Sequence, residues 1–212
     1  AANNSRGISY TLVSGADTAV WFADYEVPGA PQFNGTTPFK GFIVTPSTQS
    51  NTIYPAVKKF DDPFRTVVND PSTRPVVIWR FSNVYLLAAE AAFKGGGTLQ
   101  NAADLINIVR KRAAFRTSYP TGITQASAEA AMMITPAQVT IDFILDECTR
   151  EFYGEWQRWW DLVRTKKLID RVKEWNPEAA PYIKDFHVLR PIPQDQIDRV
   201  TEGPKFPQNP GY

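Results

Sequence analysis

Cysteine and histidine are nearly absent from this chain of 212 residues, which contains one of each. A single cysteine, Cys148, excludes an intramolecular disulfide and a site built from several thiolates. A single histidine, His187, excludes the histidine clusters that zinc sites and most catalytic triads require. Cys148 lies in the apolar pattern of a helix, which favours a buried, inert thiol over a nucleophile. His187 lies in a short apolar run, so we expect a structural or merely exposed side chain.

The chain also lacks an excess of charge of either sign. Lysine and arginine number 23 and aspartate and glutamate number 22, so the formal net charge is +1. No overall field therefore exists to hold nucleic acid or an anionic membrane surface. The first residues contain no Met, no apolar signal segment and no acylatable cysteine. The composition, 43% hydrophobic and 21% charged, is typical of a globular protein and argues against disorder, collagen and a membrane span.

The ligand sets of common metal and nucleotide sites are missing as well. Asp61, Asp62 and Asp70 do not have the alternating oxygen donors and the glycine of a calcium loop, so a turn with solvated charges is expected there. No glycine-rich phosphate loop follows a strand. We therefore predict no metal site and no cofactor.

Aromatic residues and prolines are the abundant types, with 6 Trp, 8 Tyr, 13 Phe and 17 Pro. The prolines are dense in residues 1–75, which forbids long helices and favours turns, short extended pieces and ordered loops. The same segment is too aromatic for a disordered linker. Its loops are therefore expected to pack on something or to bind something.

A helical part begins at Val76. Residues 76–93 have a helical pattern in which Val84, Leu87, Ala88 and Ala91 form one apolar stripe, and the glycines at 95–97 end it. A second helix is predicted over residues 99–115, where the periodic apolar positions are Leu99, Ala102, Ala103, Ile106, Val109 and Ala113. The tight glycine break predicts an antiparallel hairpin, and the small alanines permit the close approach of stacked tetratricopeptide-type helix pairs.

A second hairpin is predicted after a stretch rich in Ser, Thr, Gly and Pro. Thr135, Pro136 and Gln138 match the N-cap, first and third positions of a capping box, so a third helix should start there and end near Gly154. A fourth helix follows, and its shared face carries Trp156, Trp159, Trp160 and Val163.

The end of the chain returns to proline-rich sequence. A further short helix is predicted at residues 168–172. Residues 188–193 predict an extended piece that covers the helices.

Four stretches of this helical part resemble one known family in both order and spacing. They are VYLLAAEA at residues 84–91, ADLINIVRKRA at 103–113, EFYGEWQRWWDLVR at 151–164, and LRPIP at 189–193 with QNPGY at 208–212. From about Pro75 to the last residue, the chain resembles the C-terminal half of the SusD/RagB family. These are surface lipoproteins that capture nutrients for outer-membrane transporters in Bacteroidetes.

The resemblance implies a mainly α fold of tetratricopeptide-like helical hairpins wrapped by long ordered loops. Residues 1–75 would be a proline- and aromatic-rich loop segment packed on the helices, residues 76–212 the helical C-terminal domain, and both one structural unit. Family members are roughly twice this length. Their N-terminal half brings the lipid-anchor cysteine and part of the ligand site, so the chain is expected to be an excised C-terminal region.

Glu147 and Glu151, one helical turn apart, are the carboxylate pair that general acid/base catalysis would need. A glycosidase would hold two such groups about 5 to 10 Å apart in one cleft. Arg150, Arg158 and Arg164 stand close in sequence to neutralise them, which favours structural ion pairs. We predict no catalytic residue and no enzymatic activity.

The tryptophans of the third and fourth helices have two interpretations. Aromatic faces match the C–H faces of sugar rings, so Trp156, Trp159 and Trp160 are suited to a sugar platform. Helical spacing in the centre of a packed pair favours the hydrophobic core instead, with Trp160 partly exposed.

Loop aromatics are the better candidates for ligand contact, because loops leave rings uncovered on a rigid scaffold. Trp21, Phe22 and Tyr25 stand beside Asp24 and Glu26, which mixes stacking surface with acceptors for hydroxyl groups. We predict these three aromatic residues as the glycan-binding site; the alternative is that they pack the loops onto the helices. Weaker candidates are Trp175 and Tyr182.

The function that the resemblance implies is non-enzymatic capture of an oligosaccharide or polysaccharide at the cell surface. The glycan would pass to a SusC-like TonB-dependent porin of the outer membrane. Membrane contact would be made only through a lipid anchor that is absent from this chain, and nucleic acid would not be a partner. The alternative is a helical protein-interaction module that binds a partner chain and has no glycan site of its own.

Overall fold

A computed structural model of the chain describes residues 8–11, 18–23, 26–27, 32–33, 42–50, 58–60, 62, 64–65, 67, 70–204 and 206–212. The chain divides into two compact units, Ala1–Thr73 and Arg74–Tyr212. The larger unit is built from helices, which confirms the prediction of a mainly α fold. The packing of residues 1–75 on the helices stays a prediction.

The smaller unit contains a four-stranded sheet. Its strands are β1 (Ile8–Thr11), β2 (Thr18–Phe22), β3 (Gln32–Phe33) and β4 (Phe42–Val44), in the order β1-β2-β4-β3. Strand β2 pairs antiparallel with β1 and parallel with β4, and β3 pairs antiparallel with β4. Short extended pieces were predicted here, but not their assembly into one sheet. Strands of 2 to 5 residues are too short to show a side-chain alternation between prolines.

The larger unit contains seven α-helices within its described residues. They are α1 (Phe81–Ala91), α2 (Leu99–Ala114), α3 (Gln125–Met132), α4 (Ile141–Glu151), α5 (Arg158–Arg164), α6 (Leu168–Trp175) and α7 (Gln194–Asp198). Both predicted hairpins are present, formed by α1 with α2 and by α4 with α5.

Helix α1 begins at Phe81 and not at the predicted Val76. β-Branched side chains follow Pro75 and favour extended backbone, and Arg80 is still extended. The Arg80 N–H donates to the Asn83 side chain (2.9 Å), which satisfies one of the free donors at the start of the helix. At its other end the helix widens into a π-helical turn, Ala92–Gly96, where Gly95 has a φ of 107°.

The buried face of α1 also differs from the predicted stripe. Leu86 and Ala89 are buried together with two polar residues, Asn83 and Glu90. Val84 and Leu87, which the pattern placed inside, are exposed. Apolar residues alone determined the predicted stripe, whereas polar side chains with partners share the buried face in the structure.

The third predicted helix begins later than its capping box. Thr135 and Gln138 do form the box, since the Gln138 Oε1 accepts from the Thr135 N–H (2.9 Å), but they cap a short 3₁₀ turn, Pro136–Gln138. Helix α4 has its own N-cap in Thr140, whose hydroxyl accepts from the Phe143 N–H (3.0 Å). Helix α3 was not predicted, although Thr124 caps its alanine-rich sequence.

Two apolar clusters form the core of the larger unit. One lies among α1, α2 and α4, and it is centred on Leu86, Ile106 and Ile144. The other joins α4 to α5 and α6 through Leu145, Leu162 and Leu168. Helix α4 belongs to both clusters, so it fixes the two halves of the unit relative to each other.

The two C-terminal stretches, LRPIP and QNPGY, contact each other. The Gln208 side chain accepts from the Ile192 N–H (2.7 Å) and donates to the Ile192 carbonyl (2.8 Å), as a paired strand would do. The Tyr212 hydroxyl donates to the Leu189 carbonyl (2.8 Å). Because prolines without an N–H flank Ile192, side chains take over the pairing that a backbone ladder would make.

Candidate functional site

Two of the three predicted glycan residues lie at the end of strand β2. Trp21 and Phe22 are its last two residues, and Trp21 pairs with Ile43 of β4. Tyr25 lies outside the described residues, as does Asp24. Glu26 is already engaged, because its two carboxylate oxygens accept from the Ser47 N–H (2.8 Å) and hydroxyl (2.7 Å). These hydrogen bonds lower the pKa of Glu26 below its usual range and leave it less free to accept from a ligand.

The tryptophans near α5 are more exposed than predicted. Trp159 is half-buried and lies under the Arg190 guanidinium, 5.1 Å from its ring centroid. Trp156 and Trp160 are exposed and meet edge to face at 4.8 Å. The core prediction is therefore wrong for Trp156. Helical spacing was assumed for it, but it lies in the turn before α5, beyond the positive-φ Gly154.

The carboxylates of α4 are bound in ion pairs. Glu147 contacts Arg110 (2.6 Å) and Arg150 (2.7 Å). Glu151 contacts Arg80 (2.7 Å) and Arg112 (2.5 Å). The predicted structural ion pairs are thus confirmed, with more distant arginines as partners than sequence proximity suggested.

Another buried carboxylate, Glu90 of α1, has ion pairs of its own. It accepts from Arg164 of α5 (2.5 and 2.8 Å) and from Lys94 (2.6 Å). Burial opposes its ionisation, but the hydrogen bonds from Arg164 and Lys94 outweigh burial and lower the pKa of Glu90. The ion pairs therefore connect α1 to α5 in addition to the apolar contacts.

Cys148 and the aspartates give no reactive or metal-binding centre. Burial raises the pKa of the Cys148 thiol to about 12, so it stays protonated at neutral pH. Asp62 accepts hydrogen bonds from Ser72, Thr73 and the Phe64 N–H, which lower its pKa to about 2. Asp61 lies outside the described residues. In the part of the chain that the structure describes, no group of three or more potential metal ligands is found.

A solvent-open cleft of about 440 Å³ lies where α4, α5 and α6 meet. Trp175, the last residue of α6, lines it with 69% of its side chain exposed, and Asn176 follows. The sequence pattern had placed Trp175 in the proline-rich tail, as a weaker candidate. Tyr182, the other weak candidate, is exposed and does not line this cleft.

Charged side chains also line the cleft, together with Thr149, Leu162 and Val172. Arg171 of α6 donates to Asp146 (2.5 Å) and to Asp142 (3.0 Å). Arg150 is paired with Glu147. Arg158, at the start of α5, donates to the Leu145 carbonyl (2.8 Å). The cleft therefore combines an uncovered indole with hydrogen-bonding groups, which is the chemistry of a sugar subsite.

A second, narrower pocket of about 270 Å³ lies between α1 and α5. The exposed rings of Trp79 and Trp160 line it, and so does the buried side chain of Gln157. Neither the amide nitrogen nor the amide oxygen of Gln157 has a hydrogen-bond partner among the described residues. A buried amide without a partner is costly, so this position lowers the stability of the unit.

Among the described residues, no helix has the length and apolarity to cross a membrane.

Comparison with known families shows to which family the chain belongs. The sequence model of the SusD family matches residues 26–212. The chain therefore belongs to the SusD family. The matched region begins about 60 residues before the first of the stretches that carried the resemblance, immediately after Tyr25.

Two curated relatives from Formosa agariphila are similar to the chain. SusD-like protein P25 is 33% identical over 128 residues, which are 57% of this chain and 21% of the relative. SusD-like protein P38 is 30% identical over 137 residues, which are 65% of this chain and 24% of the relative. The alignments thus span about a fifth to a quarter of these relatives. No solved structure gives a significant match.

Proposed function

We propose that this chain is part of a protein that captures glycan at the cell surface without cleaving it. The observation that carries the proposal is the match to the SusD family over residues 26–212. The ion-paired state of Glu147 and Glu151 supports binding without catalysis, because both carboxylates already accept from arginines. The protein would be a lipoprotein of the outer membrane and would pass the glycan to a TonB-dependent transporter.

Two surfaces are the proposed contact points for sugar. The first is the end of strand β2 with Trp21, Phe22 and Tyr25, as predicted from the sequence. Trp21 and Phe22 are adjacent residues of the strand, and each is tested separately. The second is the cleft at Trp175, where an exposed indole stands among hydrogen-bonding side chains.

The test is a titration of the chain with oligosaccharides while tryptophan fluorescence and heat are recorded. We expect Trp175→Ala to weaken binding at the cleft by about tenfold, since stacking on one aromatic ring contributes on the order of 1 kcal/mol. Trp160→Ala is the matched control, because Trp160 is similarly exposed (59%) but lies outside the cleft. Trp21→Ala, Phe22→Ala and Tyr25→Ala test the strand site one residue at a time.

The same titration is made with the proposed longer protein, of which these 212 residues would be a part. It tests whether that protein binds glycan at all. If the longer protein binds glycan and the 212-residue chain does not, the function stands and the site lies outside this chain. If neither binds any glycan, the proposed function is refuted.

A second candidate function is the binding of a partner polypeptide. One observation favours it: the segment before α1 exposes four successive apolar residues, Val76, Val77, Ile78 and Trp79. Such a surface is typical of a protein contact. The test compares how strongly the unaltered longer protein and a variant with Val76→Ser and Ile78→Ser crosslink to the transporter. Equal crosslinking of both proteins would exclude this surface as the contact.

A further inference from the structure

Not all of the arginines that line the cleft at Trp175 are paired with a carboxylate among the described residues. Arg171 is paired with the carboxylates of Asp146 and Asp142, and Arg150 is paired with Glu147. Arg158 has no carboxylate partner in the described part of the chain, where its one hydrogen bond goes to a neutral carbonyl. A guanidinium carries five N–H donors, and Leu145 uses one of those on Arg158.

The surroundings of Arg158 favour the binding of an anion. The side chain is half-buried, and Arg171 stands close enough to repel it. Burial first and this repulsion second lower the pKa of Arg158, against a weaker attraction from Asp146 and Asp161. An anionic oxygen group bound in the cleft would offset both the burial of the Arg158 charge and its repulsion by Arg171. A guanidinium binds such a group with two parallel hydrogen bonds.

The neighbouring Trp175 indicates what carries the anionic group. Its exposed indole offers an apolar face, which a free inorganic anion would not use but a sugar ring would. The cleft volume of about 440 Å³ accommodates a sugar residue together with a substituent. Asn176 adds a neutral hydrogen-bonding group beside the ring.

We infer that this cleft selects an acidic glycan: Trp175 stacks on a sugar ring whose carboxylate or sulfate group is bound by Arg158. The inference rests on the proposed glycan capture and names the substrate class for one of its two surfaces. Arg150 and Arg171 stay in their own ion pairs, and Arg171 neutralises the Asp146 carboxylate, which also lines the cleft.

The experiment is calorimetry on the 212-residue chain with three tetrasaccharides: an oligogalacturonate, a sulfated galactan fragment and a neutral galactan fragment. We expect at least one acidic ligand to bind about tenfold more tightly than the neutral one at low salt. The acidic ligand that binds more tightly identifies carboxylate or sulfate as the recognised group. Its affinity should fall several-fold as salt rises, while that of the neutral ligand stays constant.

Arg158→Gln should remove the preference for the acidic ligand, so that the affinity for this ligand falls about tenfold more than the affinity for the neutral one. Arg199→Gln is the matched control, because it removes the same charge from an exposed arginine outside the cleft. Circular dichroism checks that both variants fold. If Arg158→Gln does not fold, the salt dependence of the unaltered chain still tests the inference.

Four results would overturn the inference. Equal affinity for neutral and acidic ligands, with dependence on Trp175, would remove the acidic selectivity and still support glycan capture. Equal losses in the Arg158 and Arg199 variants would indicate a bulk charge effect. Inorganic sulfate bound as tightly as the acidic glycans, or no binding of any acidic glycan, would show that the cleft is not an acidic sugar site.

Discussion

Glu90 shows how a single buried charge is stabilised in this protein. It lies on the buried face of α1 and receives Arg164 and Lys94. We expect Glu90→Gln to lower the free energy of unfolding by about 2 kcal/mol near pH 7, because both cations lose their carboxylate. The partly exposed partners keep the loss below that of a fully buried pair. Urea denaturation measures it, and Asp195→Asn, in an exposed pair 3.9 Å apart, is the control with little expected change.

The effect of Glu90 should depend on pH. Its folded-state pKa is below the ordinary 4.5, so its stabilisation is complete above pH 4.5 and is lost as the pH falls through the folded value. The difference in unfolding free energy between the wild type and Glu90→Gln should therefore shrink below pH 4.5. An unchanged difference at about pH 3 would contradict the assignment.

Gln157 differs from Glu90, because its buried amide has no hydrogen-bond partner among the described residues. We expect Gln157→Met, which keeps the side-chain length, to raise the free energy of unfolding by about 1 kcal/mol, because an unsatisfied amide leaves the interior. Gln100→Met is the control, since Gln100 is exposed and donates to Asp104. A loss of stability in the Gln157 variant would mean that the amide is hydrogen-bonded in solution.

At the scale of the helix, α1 provides a test of orientation with two neighbouring residues. Leu86 is 2% exposed and Leu87 is 40% exposed. We expect Leu86→Ala to lower the free energy of unfolding by about 3 kcal/mol and Leu87→Ala by less than about 1 kcal/mol. Similar losses in thermal or urea denaturation would mean that the helix presents the face that the apolar pattern predicted.

Five of the seven described helices could be predicted from the sequence, α3 and α7 could not, and α1 and α4 differ from their predictions in detail. The second helix was predicted over residues 99–115 and is found at Leu99–Ala114, because a capping threonine and regular apolar spacing agree there. The orientation of α1 depends on Asn83 and Glu90, whose burial becomes favourable only through hydrogen bonds and ion pairs that the apolar pattern does not show. A capping box identifies a turn but not its length, which explains the late start of α4.

The candidate sites depend on contacts that no local pattern encodes. The sequence pattern assigned Trp175 to a loop, whereas α6 places it beside α4 and α5. Arg158 can be recognised as a cation without a carboxylate only when the partners of the other arginines are known. Proximity in sequence had assigned it to Glu147 and Glu151, which other arginines bind.

At the scale of the whole molecule, the contribution of each compact unit to stability can be measured separately. Both described apolar clusters lie within residues 74–212. We therefore expect a shortened chain of residues 74–212 to keep its helical circular dichroism and to melt cooperatively. A gradual, non-cooperative melt would contradict this, whereas a lower melting temperature than that of the whole chain would measure how much residues 1–73 stabilise the helices.

The edge-to-face pair of Trp156 and Trp160 has an optical consequence. Two indoles 4.8 Å apart and at 84° couple their electronic transitions, so they should give a paired positive and negative band in circular dichroism. Trp175 lies outside this pair, and its emission should respond to a ligand in the cleft. In one sample, the coupled circular dichroism band would show that the fold is intact. The fluorescence of Trp175 would show whether a ligand is bound in the cleft.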